Sequence, residues 1–309
     1  MSSAIRKRFL SFVEIETKLA TIIPAIAALV YVLYTTETIN ARSTIIYFIA
    51  ALFLDMSVTA INNHLDRRED KNQTPHFSNR VSLGIIFVML SIFVALGGYL
   101  AYLHGVTVFL AGLFCLVIGV AYTFGPAPIS KSSYGEIFSG FTVGTMIMFI
   151  VVSINDPSFQ PLGLVLSLSD WRLAMDIDII GLLSFFLITL PAALPVSNIL
   201  LANNICDAES DRPFRRTLVH QIGVEKSLRL FAALYIASYI AIVAACITGL
   251  LPFWCLLALL TCPIVIKNVR LFFKEQRKDK TFVLSIKNFM VIMLAYIIGI
   301  TIGAILNLI

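Results

Sequence analysis

The 309-residue sequence is short of charge. Lys and Arg number 23 and Asp and Glu 18, together 13% of the chain, about half the share of a soluble domain. None of these four residue types occurs from Val81 to Ser130 or from Leu230 to Ile266. With 59% hydrophobic residues and a mean hydropathy of +0.91, a soluble enzyme and a disordered chain are both excluded. The cysteines, Cys115, Cys206, Cys246, Cys255 and Cys262, lie in or beside apolar runs without CxxC spacing, and the 4 histidines have no matching spacing. That argues against a disulfide framework and against a zinc site. A cleavable leader is not expected either: Arg6, Lys7 and Arg8 are followed by too few apolar residues before Glu14, Glu16 and Lys18 interrupt.

Apolar runs are what the sequence has in abundance. They read as spans at Leu19 to Tyr34, Thr44 to Ile61, Val81 to Leu103, Gly105 to Phe124, Ile137 to Ile154, Ile179 to Leu201, Leu228 to Leu250, Leu251 to Ile266 and Phe289 to Ile309. The expected fold class is an all-α polytopic membrane protein with nine transmembrane helices, a single intramembrane domain over residues 1–309. His104-Gly105 and Gly249 to Pro252 supply tight turns within the two charge-free stretches. With a cytoplasmic N-terminus, only Arg42 and Arg172 of the 23 basic residues fall outside, and a missed span would invert every later loop. The expected topology is therefore N-terminus cytoplasmic and C-terminus outside, in the cell membrane. The net charge of +5 reports that topology, so the lipid bilayer is the expected partner, with no nucleic acid and no obligate protein partner.

One polar pattern occurs twice. Asn62-Asn63-His64-Leu65-Asp66-Arg67-Arg68-Glu69-Asp70 and Asn203-Asn204-Ile205-Cys206-Asp207-Ala208-Glu209-Ser210-Asp211 both read NNxxDxxxD. They end the second and sixth spans, on the same side of the membrane. At i, i+4, i+8 spacing each Asn-Asp-Asp trio shares one helix face. Asn62, Asp66, Asp70, Asn203, Asp207 and Asp211 form a hard oxygen set, and four converging carboxylates need cations between them, which favours Mg2+. Magnesium commonly bridges carboxylates to phosphates, and Arg67, Arg68, Lys71, Arg212, Arg215 and Arg216 suit the remaining phosphate oxygens. The expected ligand is a magnesium diphosphate. Asp55, Thr59, Asn62 and Asp66 follow at i, i+4, i+7, i+11 on one stripe, which puts Asp55 more than two turns inside the hydrocarbon. Either it lines an inner cavity and touches the acceptor or the reacting carbon, or it is a neutral Asp bonded to a neighbouring helix.

The paired motifs resemble those of the UbiA-type intramembrane aromatic prenyltransferases, a nine-helix family with a central cavity. The resemblance extends over nearly the whole chain. Asn203-Asn204-x-x-Asp207-x-x-x-Asp211 continuing into Arg215-Arg216-Thr217-Leu218 and Gly223, together with Tyr122-Thr123-Phe124-Gly125-Pro126-Ala127-Pro128 and Tyr134-Gly135-Glu136, is similar to the branch acting on 1,4-dihydroxy-2-naphthoate. The sequence departs from that branch at Cys206, where Arg is usual, at Arg215, where Lys is common, and at Asp66 to Asn72, where a glycine is frequent. The resemblance implies transfer of a polyprenyl group from polyprenyl diphosphate to an aromatic acceptor such as 1,4-dihydroxy-2-naphthoate, with 4-hydroxybenzoate, homogentisate or haem as other acceptors. A secondary transporter is the alternative of another class, although transporters place ion sites near the midplane.

On this reading Asp66, Asp70, Asp207, Asp211, Asn62, Asn203, Tyr122 and Asp55 are the expected catalytic residues. Arg67, Lys71, Arg212, Arg215, Arg216 and Lys18 are the expected diphosphate contacts, and Lys131, Asn63 and Asn204 the acceptor contacts. Tyr122 serves either the cavity or an interfacial belt, Lys131 either an acceptor carboxylate or topology, and Lys18 either the diphosphate or interfacial anchoring. Phe138, Phe141, Phe185 and Phe186 are candidates for stabilising an allylic cation or for packing. Ser133-x-x-Glu136 reads as a capping box, and His64, His76 and His220 read as solvated.

Overall fold

A computed structural model describes residues 3–69, 77–159, 161–167, 172–210 and 215–308. Asp70, Lys71, His76, Asp211 and Arg212 lie outside the described residues, as do the side chains of Asp66, Arg67 and Arg68.

Ser3–Phe12 (α1) carries exposed Arg6, Lys7 and Arg8, while Phe12 is buried at its end. Glu14 turns the chain with φ 47° into a short 3-10 turn, Ile15–Lys18. Leu19–Thr36 (α2) leads to Ala41–Glu69 (α3), whose first turn is capped by the Asn40 Oδ1 atom accepting from Ser43 N at 3.1 Å. Asn79–His104 (α4) and Val106–Thr123 (α5) meet at Gly105, whose φ of 87° allows the expected turn. Gly135–Ser139 (α6), a π-helical segment at Gly140–Met146 and Ile147–Asn155 (α7) make one continuous crossing. Ile179–Cys206 (α8) follows, capped by Asp178 accepting from Gly181 N. Leu218–Ile222 (α9) and Val224–Ile247 (α10) come next. After Gly249 (φ 75°), Phe253–Thr261 begins a span as 3-10 helix and continues as Cys262–Lys274 (α11). Val283–Asn307 (α12) is the last described helix.

Among the described residues eight helices are long and apolar enough to cross a membrane, and Ala20–Thr36 is a shorter apolar helix. The all-α expectation needs one correction. Between the fifth and sixth expected spans, Leu162–Ser167 (β1) pairs antiparallel with Arg172–Ile177 (β2), in register from Leu162↔Ile177 to Ser167↔Arg172. Pro157 and Pro161 prevent helix there, and Leu162, Leu164 and Leu166 recur with strand rather than helix period. Thr107 Oγ1 donates to Leu162 O at 2.8 Å and fastens the hairpin to α5.

Interhelical hydrogen bonds set the helix directions. Asn155, ending α7, accepts at Oδ1 from Asn40 N at 2.8 Å and Thr44 Oγ1 at 3.2 Å, at the start of α3. Thr145 and Thr189 share a hydrogen bond at 3.1 Å, Ser197 Oγ donates to Glu136 O at 2.9 Å, and Asn204 Nδ2 donates to Glu136 Oε1 at 2.9 Å. The π-containing crossing therefore runs antiparallel to both α3 and α8, and the two polar motifs emerge at the same end of the bundle.

Helix α8 contains Pro191 and Pro195. The second proline withdraws the donor that Pro191 O would otherwise receive, and Ser238 Oγ on α10 approaches that oxygen at 3.5 Å. Asn198 Nδ2 to Phe231 O, Tyr296 hydroxyl to Ile188 O and Asn268 Nδ2 to Asn288 Oδ1 add fully internal ties at 2.8–2.9 Å. In lipid such bonds and close packing hold helices together, because apolar contact alone gives no advantage over lipid tails.

Candidate active site

A cavity of about 320 Å³ opens among α3, α4, α5 and the π-containing crossing. Its α3 wall runs from Tyr47 through Leu54, Asp55 and Val58 to Thr59, so Asn62 lies one turn beyond its polar end. Leu100, Val108 and Ile150 line it toward the opposite end, and Phe93, Tyr47 and Tyr122 supply aromatic faces. The π-helical turn contributes Thr142 and Val143, with Ser139 just before it; π-bulges recur at functional sites because they re-aim side chains.

Asp55 is the charged group of this lining and is 27% exposed. Its Oδ1 accepts from Lys18 Nζ at 2.9 Å and its Oδ2 from Thr21 Oγ1 at 2.5 Å. Lys18 also donates to Thr59 Oγ1 at 2.6 Å and is only 3% exposed. A carboxylate offers about four lone-pair sites, so acceptor capacity remains on the cavity side. Lys18 is thus a buried ion-pair partner behind the cavity-lining Asp55 and Thr59 rather than an interfacial anchor.

At the motif end of α8, Asn203 and Asp207 stand one turn apart. Asp207, 18% exposed, forms an ion pair with Lys278 from the loop after α11. Among the described residues no three His, Cys, Asp or Glu side chains form a metal-holding group; Asp70, Asp211 and the Asp66 side chain are not among them. The described donors fit a hard divalent cation, since they are oxygen atoms and the Asp207 carboxylate already draws a cation.

Neither motif's second asparagine lines the cavity. Asn63 Nδ2 donates to Phe12 O at 3.0 Å and Glu14 Oε1 at 3.1 Å, tying the N-terminal segment to α3. Asn204 is 2% exposed and bonded to Glu136, itself 4% exposed. Glu136 provides no helix cap; Tyr134 occupies the capping position without a side-chain bond. The local S-x-x-E pattern was the wrong guide because a buried amide two helices away offered the carboxylate a better partner. Tyr122 lines the cavity and lies in the electrostatic neighbourhood of Glu136 and Arg215. Arg216 N donates to Lys131 O at 2.9 Å, so the loop after the second motif docks on the Lys131 loop. His220 is not solvated: its ring bonds Thr217 Oγ1 and Ala208 O, both at 2.9 Å, which fixes the exit of α8. His64 is buried. Phe185 stacks with Phe149 and Phe159 rather than facing the cavity, and Phe141 meets Phe114 edge-on.

The sequence matches the model of the UbiA prenyltransferase family over residues 21–297. The chain belongs to this family. A curated relative, 1,4-dihydroxy-2-naphthoate octaprenyltransferase of Bacillus subtilis, is 28% identical over 195 residues, which are 63% of this chain and 56% of the relative. The chain thus matches little more than half of that relative's length. A UbiA homologue from Archaeoglobus fulgidus bound to GPP and Mg2+ superposes with a TM-score of 0.64 at 14% identity, covering 96% of this chain and 99% of that one. The apo UbiA homologue from Aeropyrum pernix K1 gives 0.65 at 18% identity over 94% and 98%. At these identities the structural likeness establishes the family's fold, that of a multi-pass membrane protein.

Proposed function

We propose that this chain transfers a polyprenyl group from its diphosphate to an electron-rich aromatic ring, with 1,4-dihydroxy-2-naphthoate as acceptor. The observation that carries the proposal is an apolar cavity that contains Asp55 and ends about one turn below the first NNxxD motif, with the second motif at the same end of the bundle. The curated relative's activity and the family membership support the same chemistry, and the diphosphate and Mg2+ bound by the A. fulgidus homologue support the ligand class.

Magnesium bound by Asp66, Asp70, Asp207 and Asp211, with Asn62 and Asn203, would neutralise the departing diphosphate. Arg67, Lys71, Arg212, Arg215 and Arg216 are assigned to the remaining phosphate oxygens. The allylic C–O bond breaks, the diphosphate takes the electron pair, and the ring carbon forms the new C–C bond. That carbon then loses carbon dioxide if it carried a carboxylate, or a proton if it did not. The apolar lining excludes water that would capture the allylic cation, and Tyr47, Phe93 and Tyr122 offer it aromatic faces. Asp55, positioned in the cavity lining by Lys18 and Thr21, accepts a hydrogen bond from an acceptor hydroxyl and makes the ring more electron-rich. Asn204 and Asn63 act by position: one seats the second motif on Glu136, the other seats the first motif on the N-terminal segment. Lys131 meets the acceptor carboxylate.

We further infer nine crossings with the motif end on the cytoplasmic side of the cell membrane, because the basic residues collect there. The deciding experiment uses membranes containing the protein, labelled polyprenyl diphosphate and a panel of aromatic acceptors, with and without magnesium. A prenylated, decarboxylated product from dihydroxynaphthoate, formed only with magnesium, is the expected result. Product with another acceptor alone would replace the acceptor assignment, and no product with any would overturn the activity.

A further inference from the structure

Lys278 lies 71 residues beyond Asp207 in the chain, in the connection between α11 and α12, yet its ammonium reaches the Asp207 carboxylate. That connection is built so that Lys278 faces the motif. Arg277 holds Asp279 with two hydrogen bonds, at 3.0 and 2.7 Å, and Lys280 approaches Glu275 at 3.4 Å. The carboxyl of Asp279 is held below the ordinary carboxylate range by the Arg277 hydrogen bonds and charge. Thr281 closes the turn on itself, accepting from Arg277 N at 2.8 Å while its own N donates to Arg277 O at 2.8 Å. The acidic groups of the segment are thereby matched locally by Arg277 and Lys280, and Lys278 is directed across to α8. Its side chain is 57% exposed, so its ammonium is free to move between partners, whereas Asp207 is 18% exposed and gains from keeping a cation.

We propose that Lys278 is a placeholder cation for the second motif, which holds Asp207 before substrate arrives and moves onto diphosphate oxygens when a divalent ion takes its place. The inference rests on the magnesium–diphosphate reading of the two motifs. It follows from charge balance: an ammonium held on Asp207 repels a divalent ion arriving at the same carboxylate, and the displaced ammonium has a new anion within reach. Lysine suits this exchange because it is a mobile point charge rather than a fixed fork. A half-exposed pair of this kind holds its partner only weakly, so the competition is a few-fold effect.

The test uses the full-length protein in detergent, with Mn2+ as the probe ion followed by electron paramagnetic resonance in the absence of diphosphate. Lys278→Gln is expected to bind Mn2+ about two- to five-fold more tightly than the parent. In the transfer assay its KM for geranyl diphosphate is expected to rise about tenfold, with kcat changed less, and Lys278→Arg is expected to restore most of both values. A salt bridge serving only to hold the loop would give the opposite sign, since its loss would loosen the motif and weaken Mn2+ binding. Unchanged or weaker Mn2+ binding by Lys278→Gln, while the parent binds Mn2+ and forms product, overturns this inference alone. A parent protein that neither binds Mn2+ nor forms product overturns the magnesium–diphosphate reading, and this inference with it.

Discussion

Lys18 and Asp55 are 37 residues apart and meet inside the bundle wall, an arrangement with two separable consequences. Removing one charge strands the other: Asp55→Asn leaves the nearly inaccessible Lys18 ammonium without its counter-ion. For a deep pair that costs several kcal/mol; with Asp55 about a quarter exposed, about 1–3 kcal/mol is expected, read as a lower melting temperature in detergent. Lys18→Met combined with Asp55→Leu removes both charges and should recover most of that stability. If Asp55 bonds the acceptor hydroxyl, the double variant stays at least tenfold slower in acceptor turnover despite its recovered melting temperature. Recovery of turnover together with stability would reduce Asp55 to a structural role. The stripe on which Asp55 lies was legible in the sequence because helix period alone defines it. Its partner was not, because Lys18 could be assigned only by knowing how α2 packs. Lys278 was hidden for a different reason: in a membrane protein every basic residue on the motif side first reads as a topology signal.

At the scale of elements, the π-containing crossing decides where the cavity wall can be. Gly144 in the π turn faces Ala193 of α8 so closely that a β-carbon would stand 2.3 Å from Ala193 Cα and 2.5 Å from its N. Those are backbone atoms, so no rotamer change relieves the clash, and α8 is stiffened there by Pro191 and Pro195. Gly144→Val should force the two helices apart and cost about 1–3 kcal/mol or more. Because Val143 and Thr142 ride on the same turn into the cavity, transfer activity should fall with it. Thermal unfolding in detergent checks the first effect and product formation the second; a variant with the parent melting temperature would show that the helices are not held at this contact. The spans on either side were readable from hydropathy. The π turn was not, because it differs from an α-helix by one residue per turn and leaves the apolar pattern almost unchanged. The hairpin after α7 escaped for a related reason: its six-residue strands are too short to compete with the long helical runs flanking them.

For the whole molecule the open quantity is parity, because the number of crossings decides on which side α12 ends. Helix α2 is the pivotal case. Its 18 residues rise about 27 Å at 1.5 Å per residue, slightly less than the roughly 30 Å hydrocarbon core, and it contains Pro24. Its two ends nonetheless touch opposite ends of the bundle. Lys18, just before it, bonds Asp55 and Thr59 on the motif-bearing half of α3, while Tyr34 O, near its other end, accepts from Asn307 Nδ2 at 3.4 Å at the end of α12. On the nine-crossing proposal a helix in that position would span the membrane despite its length, helped by Lys18 entering from the motif side, and the crossing count would be odd. A green fluorescent protein fused after Ile309 should be dark in a bacterial host, and alkaline phosphatase fused there should be active. The same reporters inserted in the connection between α11 and α12 should give the reverse. Fluorescence from the C-terminal fusion would put the α12 end and Arg42 on the cytoplasmic side and the motif end outside, and would overturn the orientation inferred from the charge asymmetry.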